Sequence, residues 1–181
     1  MPLKNETKQF LSYLHNNPKI RQDIRAPSGK TLLYAGSFFK PVWKEIADQK
    51  KNNPAFADKY TLPDILGQIT THGVPHNNLL EYTQATEKAV PWKDDGFIIW
   101  RALSGIFASN ASGPVSFYVG SGVKSMNSSA QIEERKVFAV TEIGVLLRND
   151  KVDPMTKDIL SYFQRCVSSG NTDMNFAYTA S

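Results

Sequence analysis

Hydrophobic residues recur along the chain at spacings of three and four, the pattern of helices that bury one face. This pattern predicts helices at residues 5–15, 42–50, 61–70, 79–85, 97–110 and from Asp153 to about 168. The segment 97–110 is the most regular, with apolar residues at 98, 99, 102, 103, 106 and 107. Asp95 is placed to cap this helix, and Asp153 to cap the last one with Pro154 in its first turn.

Short apolar runs bounded by glycine or polar residues predict strands. They lie at 31–35, 115–119, 137–140 and 175–178, and residues 145–147 extend the third strand or start another. Because strands alternate with helices, we expect an α/β fold with a small parallel sheet flanked by helices. This sheet would pack against a mainly helical lobe. The prediction is one two-lobed domain over 1–181, with the helical lobe at about 1–30 and 59–113 and the α/β lobe at about 31–58 and 114–181.

Composition narrows the class of protein. The chain has 181 residues, of which 41% are hydrophobic, and a net charge of +4. This mild basic bias falls short of a nucleic-acid-binding stripe, so no nucleic-acid partner is expected. A single cysteine, Cys166, excludes an internal disulfide and a cysteine-based metal site. No apolar run suits a membrane span and the polar N-terminus resembles no signal peptide, so a soluble cytoplasmic protein without a membrane partner is expected.

Trp100 and Ser104 are four residues apart in the predicted helix 97–110 and therefore share one face. An aromatic ring and a hydroxyl on one face can stack a flat ligand beside a hydrogen-bonding group. The same spacing also describes a core tryptophan beside an incidental serine. Both interpretations stay open from periodicity alone.

Glu142 directly follows the apolar run 137–140. Open α/β sheets bind ligands at the carboxyl ends of their strands. A carboxylate there can stabilise the oxocarbenium-like cation formed when a glycosidic bond breaks. The alternative is a solvated glutamate at the end of a strand.

Two glycine–serine segments follow predicted strands. They are Gly36-Ser37 and Gly120-Ser121-Gly122, and either can present backbone N–H groups to phosphate. Plain turns have the same composition.

His72 and His76 are the histidine pair closest in sequence. They could act as an acid–base pair. Gly73 and Pro75 between them disfavour a helix, and the sequence offers no third residue that would complete a metal site. A metal-independent ribonuclease toxin using His72 or His76 is therefore an alternative function. A non-catalytic binding module is another.

Several segments together resemble the ADP-ribosyl cyclase and NAD glycohydrolase family. The segment IWRALSGIFA at 99–108, followed by ASGPV at 111–115, resembles the family's signature helix and strand. VFAVTE at 137–142 resembles the segment that ends in the family's catalytic glutamate. LLYAG at 32–36 resembles a strand carrying an active-site aromatic residue, and TLPDILG at 61–67 resembles a helix beside the site.

The resemblance implies three catalytic residues. Glu142 would hold the ribose hydroxyls and stabilise the cation, Ser104 would steady the ribosyl intermediate, and Trp100 would stack on the nicotinamide or ribosyl region. NAD or NADP would be the substrate, and no cofactor or metal would be needed.

The resemblance also implies a set of substrate-binding residues. Tyr34 would replace the family's tryptophan on the opposite wall, and Trp92 would be a further pocket aromatic. Backbone near four residues would cradle the pyrophosphate: Gly36, Ser37, Ser121 and Phe138.

Two departures from the family refine these expectations. Some members of the family are rich in disulfides, which a chain with one cysteine cannot form. The resemblance is therefore stronger to the disulfide-free bacterial toxin domains. Pro63 stands where the family has an acidic residue that influences cyclisation, and Asp64 would substitute only in part. The resemblance therefore implies an NAD(P) glycohydrolase that releases nicotinamide and ADP-ribose, with little or no cyclase activity. As a toxin or effector depleting NAD in a target cell, it would be delivered by a specialised secretion system and bound by an immunity protein.

Overall fold

The computed structural model describes residues 2–35, 42–119, 141–168 and 176–178. Most of these residues are helical, and the rest include a small sheet. The helices are α1 (Asn5–Asn16), α2 (Pro18–Asp23), α3 (Val42–Asn52), α4 (Pro54–Ala57), α5 (Leu62–Leu66), α6 (Leu79–Ala89), α7 (Phe97–Ser109), α8 (Ile143–Arg148) and α9 (Pro154–Ser168). The strands are β1 (Leu32–Ala35), β2 (Ser116–Val119) and β3 (Phe176–Tyr178).

The described sheet has the order β1-β2-β3. β1 and β2 are parallel, with Leu33 opposite Phe117, which confirms the predicted parallel pairing. β3 runs antiparallel to β2, so the expectation of a purely parallel sheet is wrong at this edge. The predicted strand 137–140 lies outside the described residues.

Alternation along the strands divides the described core into two clusters, because successive side chains of a strand point to opposite faces. Leu33 and Phe117 belong to the main cluster. Leu32 joins a smaller cluster with Ile46 and Phe56, against which two tyrosines pack: Tyr34 and Tyr118. The sheet therefore separates the two clusters, with Tyr34 on the side of the smaller one.

Helix α7 contributes heavily to the main cluster. Ile99, Leu103, Phe107 and Ala108 are each 0 or 1% exposed, at the helical spacing that the sequence predicted. The cluster also includes residues of both predicted lobes, from Phe10 on α1 to Phe163 on α9. The division into two lobes stays a prediction. No helix among the described residues combines the length and apolar character needed to cross a membrane.

The structure differs from the predicted elements in three places. Residues 145–147, expected as strand, belong to α8, since a short apolar run does not distinguish a buried strand from a buried helix. Pro18 ends the first predicted helix but also occupies the first turn of α2, where its missing N–H costs nothing. The helix expected at 61–70 is shorter, because α5 ends at Leu66.

The two predicted caps had different outcomes. The cap on α9 is confirmed, since Asp153 Oδ1 accepts the backbone N–H of Thr156 at 3.3 Å. The cap on α7 is wrong, because Gly96 precedes this helix within a π-helical turn, Trp92–Gly96. Asp95 instead accepts the backbone N–H of Lys4 at 2.8 Å. It ties the N-terminal segment to the turn that leads into α7.

Two asparagines hold the C-terminal end of α7. Asn110 Nδ2 donates to the carbonyl oxygens of Arg21 and Ile24, at 2.8 and 3.1 Å. Asn149 Nδ2 lies 3.1, 3.2 and 2.8 Å from three carbonyl oxygens, those of Ala108, Ser109 and Ala111. Carbonyls at a helix end need partners from outside the helix. The end of α7 is therefore fixed against α2 and the segment after α8.

We predict that Asn149→Ala lowers the free energy of unfolding by about 2–3 kcal/mol, because it leaves several carbonyls without their donor. Urea unfolding measures the change. Asn16→Ala, at an exposed position on α1, is the matched control and should change stability by less than about 0.5 kcal/mol. Equal stability of the two variants would contradict the role assigned to Asn149.

Candidate active site

Ser104 lies in the middle of α7 and is 6% exposed. It falls on the buried side of the helix, one residue after Leu103, which is fully buried. A serine in the interior of a helix needs a partner for its hydroxyl once it is removed from water. That partner is a carboxyl group from a distant part of the chain.

Glu142 supplies this carboxyl group at the entrance to α8. Its backbone is helical (φ −67°, ψ −50°), and the residue is only 6% exposed. Helices α7 and α8 are neighbours, and a Cβ placed on Gly105 would lie 3.7 Å from Cγ2 of Thr141. The residues adjacent to Ser104 and Glu142 therefore also lie close to each other.

Burial raises the pKa of the Glu142 carboxyl from its usual 4.5 to about 8, and the hydrogen bond from Ser104 opposes part of that shift. Desolvation disfavours a charged carboxylate, whereas a hydrogen-bond donor favours it. One serine hydroxyl is too little to offset the loss of water. Glu142 therefore carries a proton at neutral pH in the ligand-free protein.

One oxygen of this carboxyl, Oε2, is buried and has no hydrogen-bond partner among the described residues. Buried polar atoms in native structures are nearly always paired, and an unpaired one costs about 1–3 kcal/mol. Such an atom lowers stability, so stability by itself does not explain its presence. It is the acceptor that a bound hydroxyl donor or cation could use.

Tyr34, the predicted aromatic wall, lies on β1 and is half-buried. Burial raises the pKa of its phenol well above the usual range, and the negative charges of Glu142, Asp64 and Glu87 raise it further. The structure brings Ser104 and Glu142 together, whereas Tyr34 packs against the smaller cluster on the other side of the sheet.

Asp64 is engaged in the local structure of α5. It accepts the backbone N–H of Thr61, whose hydroxyl in turn accepts the N–H of Asp64, and it forms an ion pair with Lys50 at 2.8 Å. Its burial alone would raise the pKa of the carboxyl, but the bonds from Lys50 and Thr61 prevail and lower it. Asp64 therefore contributes a fixed negative charge near Tyr34.

Trp100 is half-buried on α7 and packs against the main cluster. Trp92 lies in the π-helical turn that precedes this helix. Both interpretations of Trp100, stacking residue and core residue, remain consistent with this position. The four residues predicted to lie near pyrophosphate are outside the described part of the chain: Gly36, Ser37, Ser121 and Phe138.

The two histidines of the alternative hypothesis have different surroundings. The ring of His76 stacks on Tyr82 with centroids 5.2 Å apart. His72 is exposed and lines a surface groove, and its backbone N–H donates to the Tyr13 hydroxyl at 3.2 Å. Within the described ranges, no group of three or more histidine, cysteine or acidic side chains is arranged to hold a metal ion.

Sequence reasoning missed two charged groups around the site. Lys50 was assigned only to a helix, yet it pairs with Asp64. Glu87 was not considered, yet its charge acts on Tyr34. The four-residue segment from Thr61 to Asp64 was a readable capping signal, because a capping residue followed three positions later by an acidic one marks a helix start. No comparable sequence pattern could have predicted that Lys50 pairs with Asp64 or that the charge of Glu87 acts on Tyr34.

No protein-family model, curated protein or solved structure matches this chain. The resemblance to NAD glycohydrolases therefore rests on the sequence segments that carry it.

We predict that Glu142→Gln becomes more stable relative to wild type as pH rises. Since the folded state keeps the Glu142 proton up to a pH of about 8 and the unfolded chain loses it near 4.5, wild type loses stability across this window. The loss is about 1.4 kcal/mol per pH unit. Glutamine does not ionise, so the difference between the variants should widen from acid to alkaline pH in urea unfolding.

Glu6→Gln, at an exposed position on α1, is the control and should follow wild type. A constant stability difference between Glu142→Gln and wild type across this pH range would show that Glu142 ionises normally.

Proposed function

We propose that this protein is an NAD(P) glycohydrolase, with Glu142, Ser104 and Trp100 at the reacting centre. The observation that carries the proposal is the buried Glu142 carboxyl, which is bonded by Ser104 and retains an unpaired oxygen. The resemblance of 99–108 and 137–142 to the catalytic segments of NAD-cleaving enzymes supports the choice of substrate. The hydrogen bond between Ser104 and Glu142, one residue from each segment, supports their joint role.

The reaction breaks the bond between the ribose C1′ and the nicotinamide nitrogen. The electron pair of this bond goes to the ring nitrogen, so nicotinamide leaves as a neutral molecule and a ribosyl cation remains. Water then adds to C1′ and releases a proton to solvent, which gives ADP-ribose. Because pyridinium is already a good leaving group, the protein needs to stabilise the cation rather than protonate the departing ring.

Glu142 suits this requirement in its ionised form, which a bound cation favours over the protonated form of the ligand-free protein. A carboxylate in a site that excludes water acts on a developing positive charge far more strongly than it would in solution. Its unpaired Oε2 is available to the ribose hydroxyls or to the cation. Ser104 holds the carboxyl in position, and Tyr34 and Trp100 provide aromatic surface for the nicotinamide ring.

The choice between hydrolysis and cyclisation follows from Asp64 and Pro63. Asp64 is bound to Thr61 and Lys50, and Pro63 has no polar side chain that could replace the family's carboxylate. We therefore propose plain hydrolysis. A role as a toxin or effector, delivery into a target cell and an immunity partner remain part of the same proposal and rest on the resemblance.

Incubation with NAD tests the activity through the release of nicotinamide, followed by chromatography. Wild type should release nicotinamide together with ADP-ribose. Glu142→Gln should lower kcat by about 100- to 1000-fold, the range for removing one electrostatic contact to a transition state. Ser104→Ala should have a smaller effect, because the carboxyl itself remains.

Glu6→Gln, far from these residues in sequence and exposed, should retain wild-type kcat. The absence of nicotinamide release by folded wild-type protein, with NAD and with NADP, would overturn the proposed function. Unchanged release by Glu142→Gln would remove Glu142 from the reaction.

A further inference from the structure

A groove lies on the surface between α2 and the stretch from Ile65 to His72, which includes the end of α5. Its volume is about 530 Å³, within the range of about 300–1,000 Å³ that is typical of ligand sites. The described residues that line it include none of the three proposed catalytic residues, Trp100, Ser104 and Glu142. The proposed reaction therefore does not account for this groove.

The floor of the groove is aliphatic. Ile20, Ile65 and Ile69 line it, are 4–7% exposed and belong to the main cluster, so the core holds them in place. No phenylalanine, tyrosine or tryptophan is among the described residues that line the groove. Because single-stranded nucleic acids are held largely by stacking of their bases on aromatic side chains, this floor suits an aliphatic side chain better than a base.

Hydrogen bonds fix both walls of the groove. On one side, Asn110 holds the end of α2 through two carbonyl oxygens. On the other side, the backbone N–H of Leu79 donates to the carbonyl of Ile69 at 2.9 Å, and that of His72 donates to the Tyr13 hydroxyl at 3.2 Å. A groove whose walls are already ordered loses little conformational entropy when it binds a partner.

The polar lining of the groove is basic and rich in hydrogen-bond donors. Asp23 is the one acidic side chain among the described lining residues, and Nζ of Lys19 lies 3.0 Å from it. Arg25 adds a further positive charge, and Gln68 and His72 add an amide and an imidazole that can donate. The described lining therefore favours an anion that accepts hydrogen bonds.

The wall that contains α2 belongs to the most basic part of the chain. Residues 1–30 carry a net charge of +4, which equals that of the whole protein, so the rest of the chain is balanced. The basic residues in this stretch are Lys4, Lys8, Lys19, Arg21, Arg25 and Lys30. Charge concentrated in one part of a protein attracts partners of the opposite charge and speeds their association.

We propose that this groove binds an acidic peptide segment of a partner protein. One aliphatic side chain of the segment enters the isoleucine floor, and carboxylates that flank it in the peptide accept hydrogen bonds from the basic wall. Arg25 is the main anchor, because a guanidinium can hold a carboxylate through two hydrogen bonds. This inference does not depend on the proposed enzymatic activity.

The test begins with selection of short random peptides displayed on phage against the wild-type protein. The enriched peptides should carry glutamate or aspartate on both sides of a leucine, isoleucine or valine. The most enriched sequence is then synthesised with a fluorescent label, and its affinity is measured by fluorescence anisotropy. The affinity should fall as salt is added, because salt screens exposed charges.

Arg25→Glu should weaken binding of this peptide by at least about tenfold, since it places like charges together. Lys8→Glu is the matched control, because it makes the same change of charge at an exposed position of α1 outside the groove. It should change the affinity by less than about twofold. Serine in place of the peptide's aliphatic residue should also weaken binding to wild type by at least about tenfold, and this measurement needs no protein variant.

Three results would overturn the proposal. The first is a selection without enrichment of acidic peptides. The second is an equal loss of affinity in Arg25→Glu and Lys8→Glu, which would show that overall charge, rather than the groove, attracts the peptide. The third is tighter binding of a labelled oligouridylate than of the peptide, lost in Arg25→Glu, which would assign the groove to nucleic acid.

Discussion

The burial of the Glu142 carboxyl against α7 is the constraint on which the candidate site depends. A carboxyl removed from water must be paired or protonated, and here a single hydroxyl, that of Ser104, is its described donor. Burial raises the pKa of Glu142, and the Ser104 hydroxyl on α7 opposes part of that rise. Asn110 and Asn149 fix one end of this helix, and the link between Asp95 and Lys4 fixes the turn before the other.

The sheet determines the position of Tyr34. Alternation along β1 directs Leu33 into the main cluster and Tyr34 towards the smaller one, near the end of the strand. The charge of Glu142 nevertheless raises the pKa of the Tyr34 phenol, in addition to the effect of burial. A buried acid with one oxygen that no described residue bonds is unfavourable for stability.

Much of the fold followed from the sequence, because periodicity is a local signal. The helices around residues 5–15 and 97–110 and the strand at 32–35 appear close to where they were predicted. The 145–147 segment was assigned wrongly, since a short apolar run suits either a strand or a helix. The shared face of Trp100 and Ser104 could be read from spacing. The meeting of Ser104 with Glu142 could not, because it depends on how α7 packs on α8.

The central claim is that Glu142 is a buried acid whose carboxyl is bonded by Ser104 and stays protonated at neutral pH. The most direct measurement is carbon-13 NMR titration of the Glu142 carboxyl in wild type and in Ser104→Ala. The account predicts a pKa of about 8 in wild type and a higher pKa in Ser104→Ala, because the variant loses the donor that favours ionisation. A pKa near 4.5 in wild type, or one that Ser104→Ala leaves unchanged, would contradict it.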